Sequence, residues 1–329
     1  MKEFEIAITA NERAELLPLR ESEAHPGGTL GENDVAGHTL VSAVSPGTEL
    51  SWAFTGKNFP AYPGYASVIK VEAVGPKVTD IQPGDAVFTM GNHRSFQRHG
   101  RKGVVKIPAG LDPAKAVLTR LMNVSMSTLV TTTARPPSTV LISGLGPVGN
   151  LAAQIFHASG YRVVGCDPVE WRRNLLAQSG VAVLPGIPFA DANYVDKVDL
   201  VVDCSGHEAA VLDACKTVRR RGEVVLVGVP WRQRTDLTAQ ALLSAVFHRY
   251  VVLRSGWEWE LPMESTEYRP GSIMQNLAAG LDWIAAGKIR VEGFADKASP
   301  ADAHRVYTEL LHQRTQTLTT VFNWSGVAS

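Results

Sequence analysis

The sequence predicts an α/β protein in two parts, a β-rich front segment followed by a parallel sheet interleaved with helices. Three observations predict it. Up to about residue 115, short alternating segments are punctuated by Gly and Pro. From Ile107-Pro108-Ala109-Gly110-Leu111-Asp112 onward, near-continuous apolar runs alternate with helical patterns, the signature of βαβ units. The 329 residues, 45% apolar and 19% charged, also suffice for two cores.

Residues 38–44 and 66–74 alternate as strands, and Gln82-Pro83-Gly84-Asp85 is turn chemistry ahead of another, 86–88. Behind them, apolar runs at 139–142, 162–166, 200–204 and 223–227 read as buried strands. A fifth, 250–253, follows a helical stretch at 239–247. The tail carries helical patterns at 277–286 and 300–312 and closes on a strand-like 318–322. Arg219-Arg220-Arg221 before Gly222 reads as the last turn of a helix, cations on the dipole and Gly as cap.

Thirty-two basic and 32 acidic residues give zero formal net charge, which argues against a general grip on nucleic acid or anionic membrane. The expected partner is a small molecule. Cys166, Cys204 and Cys215 sit in apolar stretches without metal-ligand spacing, so buried free thiols in a reducing compartment are expected. The acidic start, Met1-Lys2-Glu3-Phe4-Glu5-Ile6, lacks a signal-peptide pattern, and no apolar run approaches 18 residues; a cytoplasmic location is expected.

Gly144-Leu145-Gly146-Pro147-Val148-Gly149 fits G-x-G-x-x-G, a weak signal alone. Here it follows an apolar strand, opens an amphipathic helix at 150–158, and precedes a second strand ending in Asp167, twenty-three positions after Gly144. The first Gly makes the turn, the second lets backbone approach a pyrophosphate, and the third lets helix pack on strand. Asp167 suits a ribose 2′-hydroxyl and favours NAD, whereas Arg172 or Arg173 could reach the 2′-phosphate of NADP. Ser205-Gly206, Gly228-Val229-Pro230 and Ser255-Gly256 end later strands, where ribose and nicotinamide are expected to lie.

With these motifs in place, the chain resembles the medium-chain dehydrogenase/reductase superfamily, the zinc alcohol dehydrogenase relatives. The resemblance rests on residues 74–87 (Val74-Gly75-Pro76 through Pro83-Gly84-Asp85), the glycine fingerprint, and 281–289 (Leu281-Asp282-Trp283 through Gly287-Lys288-Ile289). It implies a GroES-like catalytic domain from residues 1–115 and 288–329, with a Rossmann domain at 116–287 and the active site in the cleft. Thr128 would approach the nicotinamide. The departures concern zinc. Pro46 stands where catalytic-zinc relatives have Cys, Gly64-Tyr65-Ala66 where they have Gly-His-Glu, and Asn123–Ser125 offers no thiolate or carboxylate. No Cys lies between Asp85 and Pro108, so the structural zinc lobe is missing too, and no zinc is expected. The loop Ser45-Pro46-Gly47-Thr48-Glu49 is similar to that of a zinc-free branch including bacteriochlorophyllide dehydrogenase-like proteins.

Hydride transfer without a metal needs positioned donors at the reacting oxygen. Thr48 matches the proton-relaying hydroxyl of relatives, or caps its turn. Tyr65 either points a phenol into the site or fills the space of a lost ligand. His93 is a general acid or an exposed loop residue, and Glu49 orients the loop or a neighbour. Trp257-Glu258-Trp259-Glu260, if extended, sets both rings on one face, suiting a sugar or cyclitol, or else forms an interface. Three functions stay open: metal-free NAD-dependent oxidation of a secondary alcohol, zinc-free NADPH-dependent reduction of an enone or quinone, and dinucleotide binding without catalysis. A homodimer is expected by resemblance, with Arg234-Thr235-Asp236-Leu237 as a weakly strand-like pairing segment.

Overall fold

The computed structural model describes residues 2–20, 29–269 and 271–327. The chain divides into two compact units, one of residues 1–120, 277–286 and 291–329, the other of 121–276 and 287–290. The stretch 277–286 falls in the first unit, whereas the resemblance implies a Rossmann domain that runs through 287.

The first unit opens with β1 (Phe4–Ala10), β2 (Arg13–Pro18) and β3 (Asp34–Ala43). Next come the short helix α1 (Pro46–Glu49), a π-helical turn at Leu50–Phe54, β4 (Ser67–Val74), β5 (Ala86–Thr89), β6 (Phe96–Gly100) and β7 (Val104–Lys106). Helix α2 (Pro113–Ala116) starts where Pro113 needs no N–H partner and Asp112 accepts from Ala114 N at 2.9 Å. Helix α3 (Thr119–Thr131) leads into β8 (Thr139–Ser143), α4 (Pro147–Ala158), β9 (Arg162–Cys166), α5 (Glu170–Ala177) and β10 (Ala182–Leu184). The second unit continues through β11 (Val198–Asp203), α6 (Glu208–Thr217), β12 (Val218–Leu226), α7 (Ala239–Arg249) and β13 (Val252–Ser255). After α8 (Ile273–Ala285), the chain ends on β14 (Ala295–Ala298), α9 (Ala303–Leu311) and β15 (Thr319–Asn323).

In the second unit the sheet order is β10-β9-β8-β11-β12-β13, every pairing parallel. That is the doubly wound order of a Rossmann domain, reversing direction between β8 and β11. Val140, Ile142, Val163, Leu200 and Val202 pack one face with Ala152, Ala153 and Phe156 of α4. The alternate residues Leu141, Val164, Val201 and Val224 pack the other face with Val211 and Ala214 of α6. Burial on both faces is why these strands read as unbroken apolar runs rather than as alternation.

In the first unit, β3 is the organising strand. It pairs antiparallel with β4, β6 and β15 in a sheet ordered β14-β15-β3-β4-β5-β7, and β1 pairs with β2 as a hairpin. The C-terminal strand therefore belongs to the sheet of the first unit.

Four local expectations are corrected. Arg219-Arg220-Arg221 lies in β12, not at a helix end. Arg221 adopts φ 62°, the register against β11 slips there, and Arg219 Nε pairs with Asp199 at 2.7 Å. Tyr250 belongs to no strand; it ends α7 in the left-handed region, φ 55°, and β13 starts two residues later. Residues 234–237 form no strand. Trp257-Glu258-Trp259-Glu260 is not extended, because Glu258–Glu260 makes a 3-10 turn that buries Glu258 and leaves Trp257 66% and Trp259 48% exposed.

Candidate active site

The fingerprint turn sits between β8 and α4, and its three glycines do three different things. Gly144 has φ +80°, a conformation that suits glycine, and a Cβ there would meet Ser205 at 2.9 Å. A Cβ on Gly149 would stand 1.7 Å from the Gly144 carbonyl oxygen and 3.2 Å from Cys204 Cβ, so only glycine lets α4 lie this close to the strands. Beside Gly146 a Cβ would meet nothing within 4 Å. Gly146 is the N-cap residue of α4 and Pro147 follows at the first helical position, where its missing N–H costs nothing. The open space thus lies at the positive end of a twelve-residue helix. Val148, in the first turn, is half-buried, and its carbonyl accepts from Ser125 Oγ at 3.4 Å.

Asp167 ends β9 and is 3% exposed. Its Oδ2 accepts from Leu145 N at 2.7 Å, inside the fingerprint, and its Oδ1 from Val169 N at 2.8 Å. The acid therefore braces the turn, with lone pairs remaining for a ribose hydroxyl. The two arginines differ. Arg173 donates to the Asp167 and Pro168 carbonyls at 2.7 and 2.9 Å. Arg172 lies 3.7 Å from Asp167 Oδ2 and over the Trp171 ring, and its buried Nε meets no partner among the described residues.

A second acid, Asp203 at the end of β11, escaped the sequence reading. It accepts from Ser205 Oγ at 2.6 Å, Gly206 N at 3.0 Å and Ser205 N at 3.3 Å, folding the loop back against Gly144. Burial pushes its carboxyl up, against the pull of the Ser205 and Ser143 hydroxyls and the loop amides. A Cβ at Gly228, past β12, would meet Gly206 N at 2.4 Å, so the loops after β8, β11 and β12 touch backbone to backbone. Val229 is exposed beyond them, and Ser255 Oγ accepts from Trp257 N at 3.1 Å. Thr128 is fully buried on α3, its hydroxyl without a partner among the described residues.

In the first unit, α1 holds Thr48 and Glu49 just past β3. Glu49 is 1% exposed and fully engaged, accepting from Ser45 N at 2.7 Å, Tyr307 Oη at 2.5 Å and His93 Nε2 at 3.0 Å. His93 Nδ1 meets Ser42 Oγ at 2.8 Å, and Ser42 in turn accepts from Trp324 Nε1 at 2.9 Å. Because Trp324 donates to Ser42, the serine hydrogen can go to Nδ1, which leaves the imidazole proton on Nε2, facing Glu49. His93 is wholly buried, so it is not an exposed loop residue, and both ring nitrogens are spoken for. It braces Glu49, and Glu49 braces the Ser45–Thr48 turn.

Half-buried Tyr65 follows β-strand-free chain after Gly64 and hydrogen-bonds Ser45 Oγ, with the Arg120 guanidinium 4.5 Å over its ring. Desolvation raises the phenol above its ordinary range; Arg120 and the Ser45 and Thr48 hydroxyls pull it back, and Glu49 adds to the rise. Arg120, Ser42, Tyr307 and Trp324 were missed from sequence. Arg120 alone left a local signal, as a charge inside the apolar stretch Leu118-Thr119-Arg120-Leu121-Met122.

A catalytic zinc does not fit the donors present. Pro46 has no ligand atom, Tyr65 is a phenol engaged with Ser45, and Asn123 donates its amide to Glu258. Among the described residues no group of three or more His, Cys, Asp or Glu is placed to hold a metal ion. No helix among them is long and apolar enough to cross a membrane.

Comparison with known proteins agrees with the fold. The family model described as "Zinc-binding dehydrogenase" matches residues 147–257, all within the second unit. An alcohol dehydrogenase of Geobacillus stearothermophilus is 28% identical across 52% of this chain and 62% of its own length, short of two thirds of that relative. An L-threonine 3-dehydrogenase of Pyrococcus furiosus is 24% identical across 84% of this chain and 92% of its own. The crystal structure of galactitol-1-phosphate dehydrogenase from Escherichia coli superposes with a TM-score of 0.78 at 15% identity, covering 97% of this chain and 99% of that one. Residues 147–257 thus match the zinc-binding dehydrogenase family, and the fold is that of the medium-chain dehydrogenases, with a GroES-like β-rich domain and a Rossmann domain.

Proposed function

We propose that this chain is an NAD(P)-dependent oxidoreductase that moves a hydride to or from the carbon of a secondary alcohol or ketone, using side-chain hydroxyls instead of zinc at the reacting oxygen. The observation that carries the reading is the fingerprint turn. Gly146 leaves open space at the start of α4 while Gly144 and Gly149 hold the surrounding backbone in van der Waals contact. A dinucleotide bound there supplies the hydride acceptor or donor. Asp167 favours NAD by accepting from a ribose hydroxyl. Arg172, with its unspent Nε donor, supports the NADPH-dependent enone or quinone reduction as the second reading.

The remaining work falls to the first unit. Thr48 and Tyr65 present hydroxyls to the reacting oxygen, and Tyr65 stays protonated at neutral pH because burial raises its phenol. His93 and Glu49 act as positioning residues, holding the turn that carries Thr48. The sugar or cyclitol preference rested on an extended stretch at 257–260, and that stretch is a 3-10 turn instead, so a broad alcohol panel is the appropriate test.

Calorimetric titration with NADH and NADPH, together with turnover of alcohols, ketones and enones before and after chelator treatment, tests the reading. NADH binding and chelator-insensitive turnover are expected. Activity lost to the chelator and restored by zinc overturns the metal-free chemistry. Absence of dinucleotide binding overturns the whole reading, and NADPH preference with enone reduction selects the second.

A further inference from the structure

Three side chains from separate parts of the first unit converge on the phenol of a fourth, Tyr65. Ser45 closes the β3 loop, Thr48 sits on α1, Tyr65 precedes β4, and Arg120 lies in the first turn of α3. Arg120 is 3% exposed, and its guanidinium lies 4.5 Å over the Tyr65 ring, while Tyr65 Oη donates to Ser45 Oγ. We propose that Arg120 is a positioning residue that makes Tyr65 the proton-transfer group of a metal-free relay, with Ser45 and Thr48 as the hydroxyls that hold the phenol.

Such a cation favours the chemistry, because it offsets negative charge that develops on the buried phenol oxygen. In alcohol oxidation the hydride of the C–H bond would go to a bound oxidised dinucleotide. The O–H proton passes to Tyr65 Oη as the phenol hands its own proton through the Ser45 or Thr48 hydroxyl to solvent, and the C=O bond forms. Reduction runs the same steps backward, with Tyr65 donating. A desolvated phenol beside Glu49 ionises poorly, and Arg120 is the facing group that opposes this. Guanidinium keeps its proton throughout, so it tunes without competing for the transfer. The charged and titratable groups around Tyr65 are Arg120, Glu49 and, against the Gly64 backbone, His93.

The proposal rests on the hydride-transfer reading, but its test does not need turnover. The protein has seven tyrosines, and replacing them with fluorotyrosine gives each a 19F resonance whose shift follows ionisation. Tyr65→Phe identifies the signal. In Arg120→Met that signal should titrate at least about one pH unit higher than in the parent, a differential stabilisation of about 1.4 kcal/mol. Arg120→Lys should restore most of the difference. Ser45→Ala, which removes no charge, should raise the transition by less and covers the case in which Arg120→Met does not fold. With a substrate in hand, the alkaline limb of kcat for oxidation should shift by the same amount. An unmoved Tyr65 transition in folded Arg120→Met, or in Ser45→Ala, overturns the relay, as does Arg120→Lys failing like Arg120→Met. An Arg120-dependent transition without turnover of any alcohol or ketone leaves the cluster standing and sinks the reaction instead.

Discussion

Alanine at position 149 would put a methyl carbon 1.7 Å from the Gly144 carbonyl oxygen, well inside van der Waals contact. The strand–helix turn would have to open by more than an ångström, because the obstacle is backbone rather than a movable side chain. Overpacking of that kind costs about 3 kcal/mol. For a unit of this size, at about 2–4 °C per kcal/mol, the melting temperature should fall by ~6–12 °C. Alanine at 146 is the contrasting perturbation. Its methyl meets nothing within 4 Å, and φ −63° is comfortable for alanine, so the fold should hold to within ~0.5 kcal/mol. The methyl nevertheless occupies the space where a pyrophosphate would approach, so NADH affinity should drop at least about tenfold, ~1.4 kcal/mol. Scanning calorimetry and NADH titration on both variants read the two effects separately. Parental NADH affinity in Gly146→Ala would refute the assignment of that space to the dinucleotide. A parental melting temperature in Gly149→Ala would refute the packing argument.

Three other outcomes are expected. Tyr307→Phe removes a buried donor from Glu49 and should cost about 1–3 kcal/mol in urea denaturation, while a change below ~0.5 kcal/mol would show the bond to be dispensable. Burial lowers the tendency of His38 to take a proton, but its hydrogen bonds to Glu3 and Glu72 and their charges outweigh that and raise its pKa. Its stabilisation is therefore full below the unfolded value and is lost as pH rises through the folded one. Parent and His38→Gln should differ more in melting temperature at pH 6 than at pH 9, and the opposite trend would contradict the ion-pair assignment. Burial pushes Cys166 up to about 12, Cys215 up to about 11, and Cys204 well above the ordinary thiol range. Native protein at pH 8 should resist a thiol reagent that labels all three cysteines after unfolding; a rapidly labelled native thiol would disprove their inertness.

The parallel sheet was legible because each strand is buried on both faces and each ends in loop chemistry, and the glycine spacing named the turn between β8 and α4. Strand ends were less readable where side chains outside the local stretch decide them. The arginines of β12 read as a helix cap because Asp199, which anchors Arg219, lies on the neighbouring strand. Trp257-Glu258-Trp259-Glu260 read as alternation because Asn123, which draws Glu258 inward, lies more than a hundred residues earlier. In the candidate site, Gly144, Gly146, Gly149 and Asp167 announced themselves by spacing. His93 was visible as a histidine but not as a buried one, since its burial depends on Phe322, Ser42 and Glu49 from three remote segments. Asp203 could have been found from the Asp-Cys-Ser-Gly run, whose side chains fold a loop back on its own amides.

The bonds around Glu49 join residues 258 positions apart, and Trp324 reaches Ser42 across 282. The Rossmann sheet, by contrast, closes within residues 139–255. During synthesis the dinucleotide half can therefore complete its core while the half holding Thr48 and Tyr65 still waits for its last strand, since closing so long a loop comes late and slowly. Amide-exchange labelling during refolding should show β8 to β13 protected before β3 and β15. A mutation that loosens β15 should accordingly yield a chain whose parallel sheet forms while the cluster around Glu49 does not.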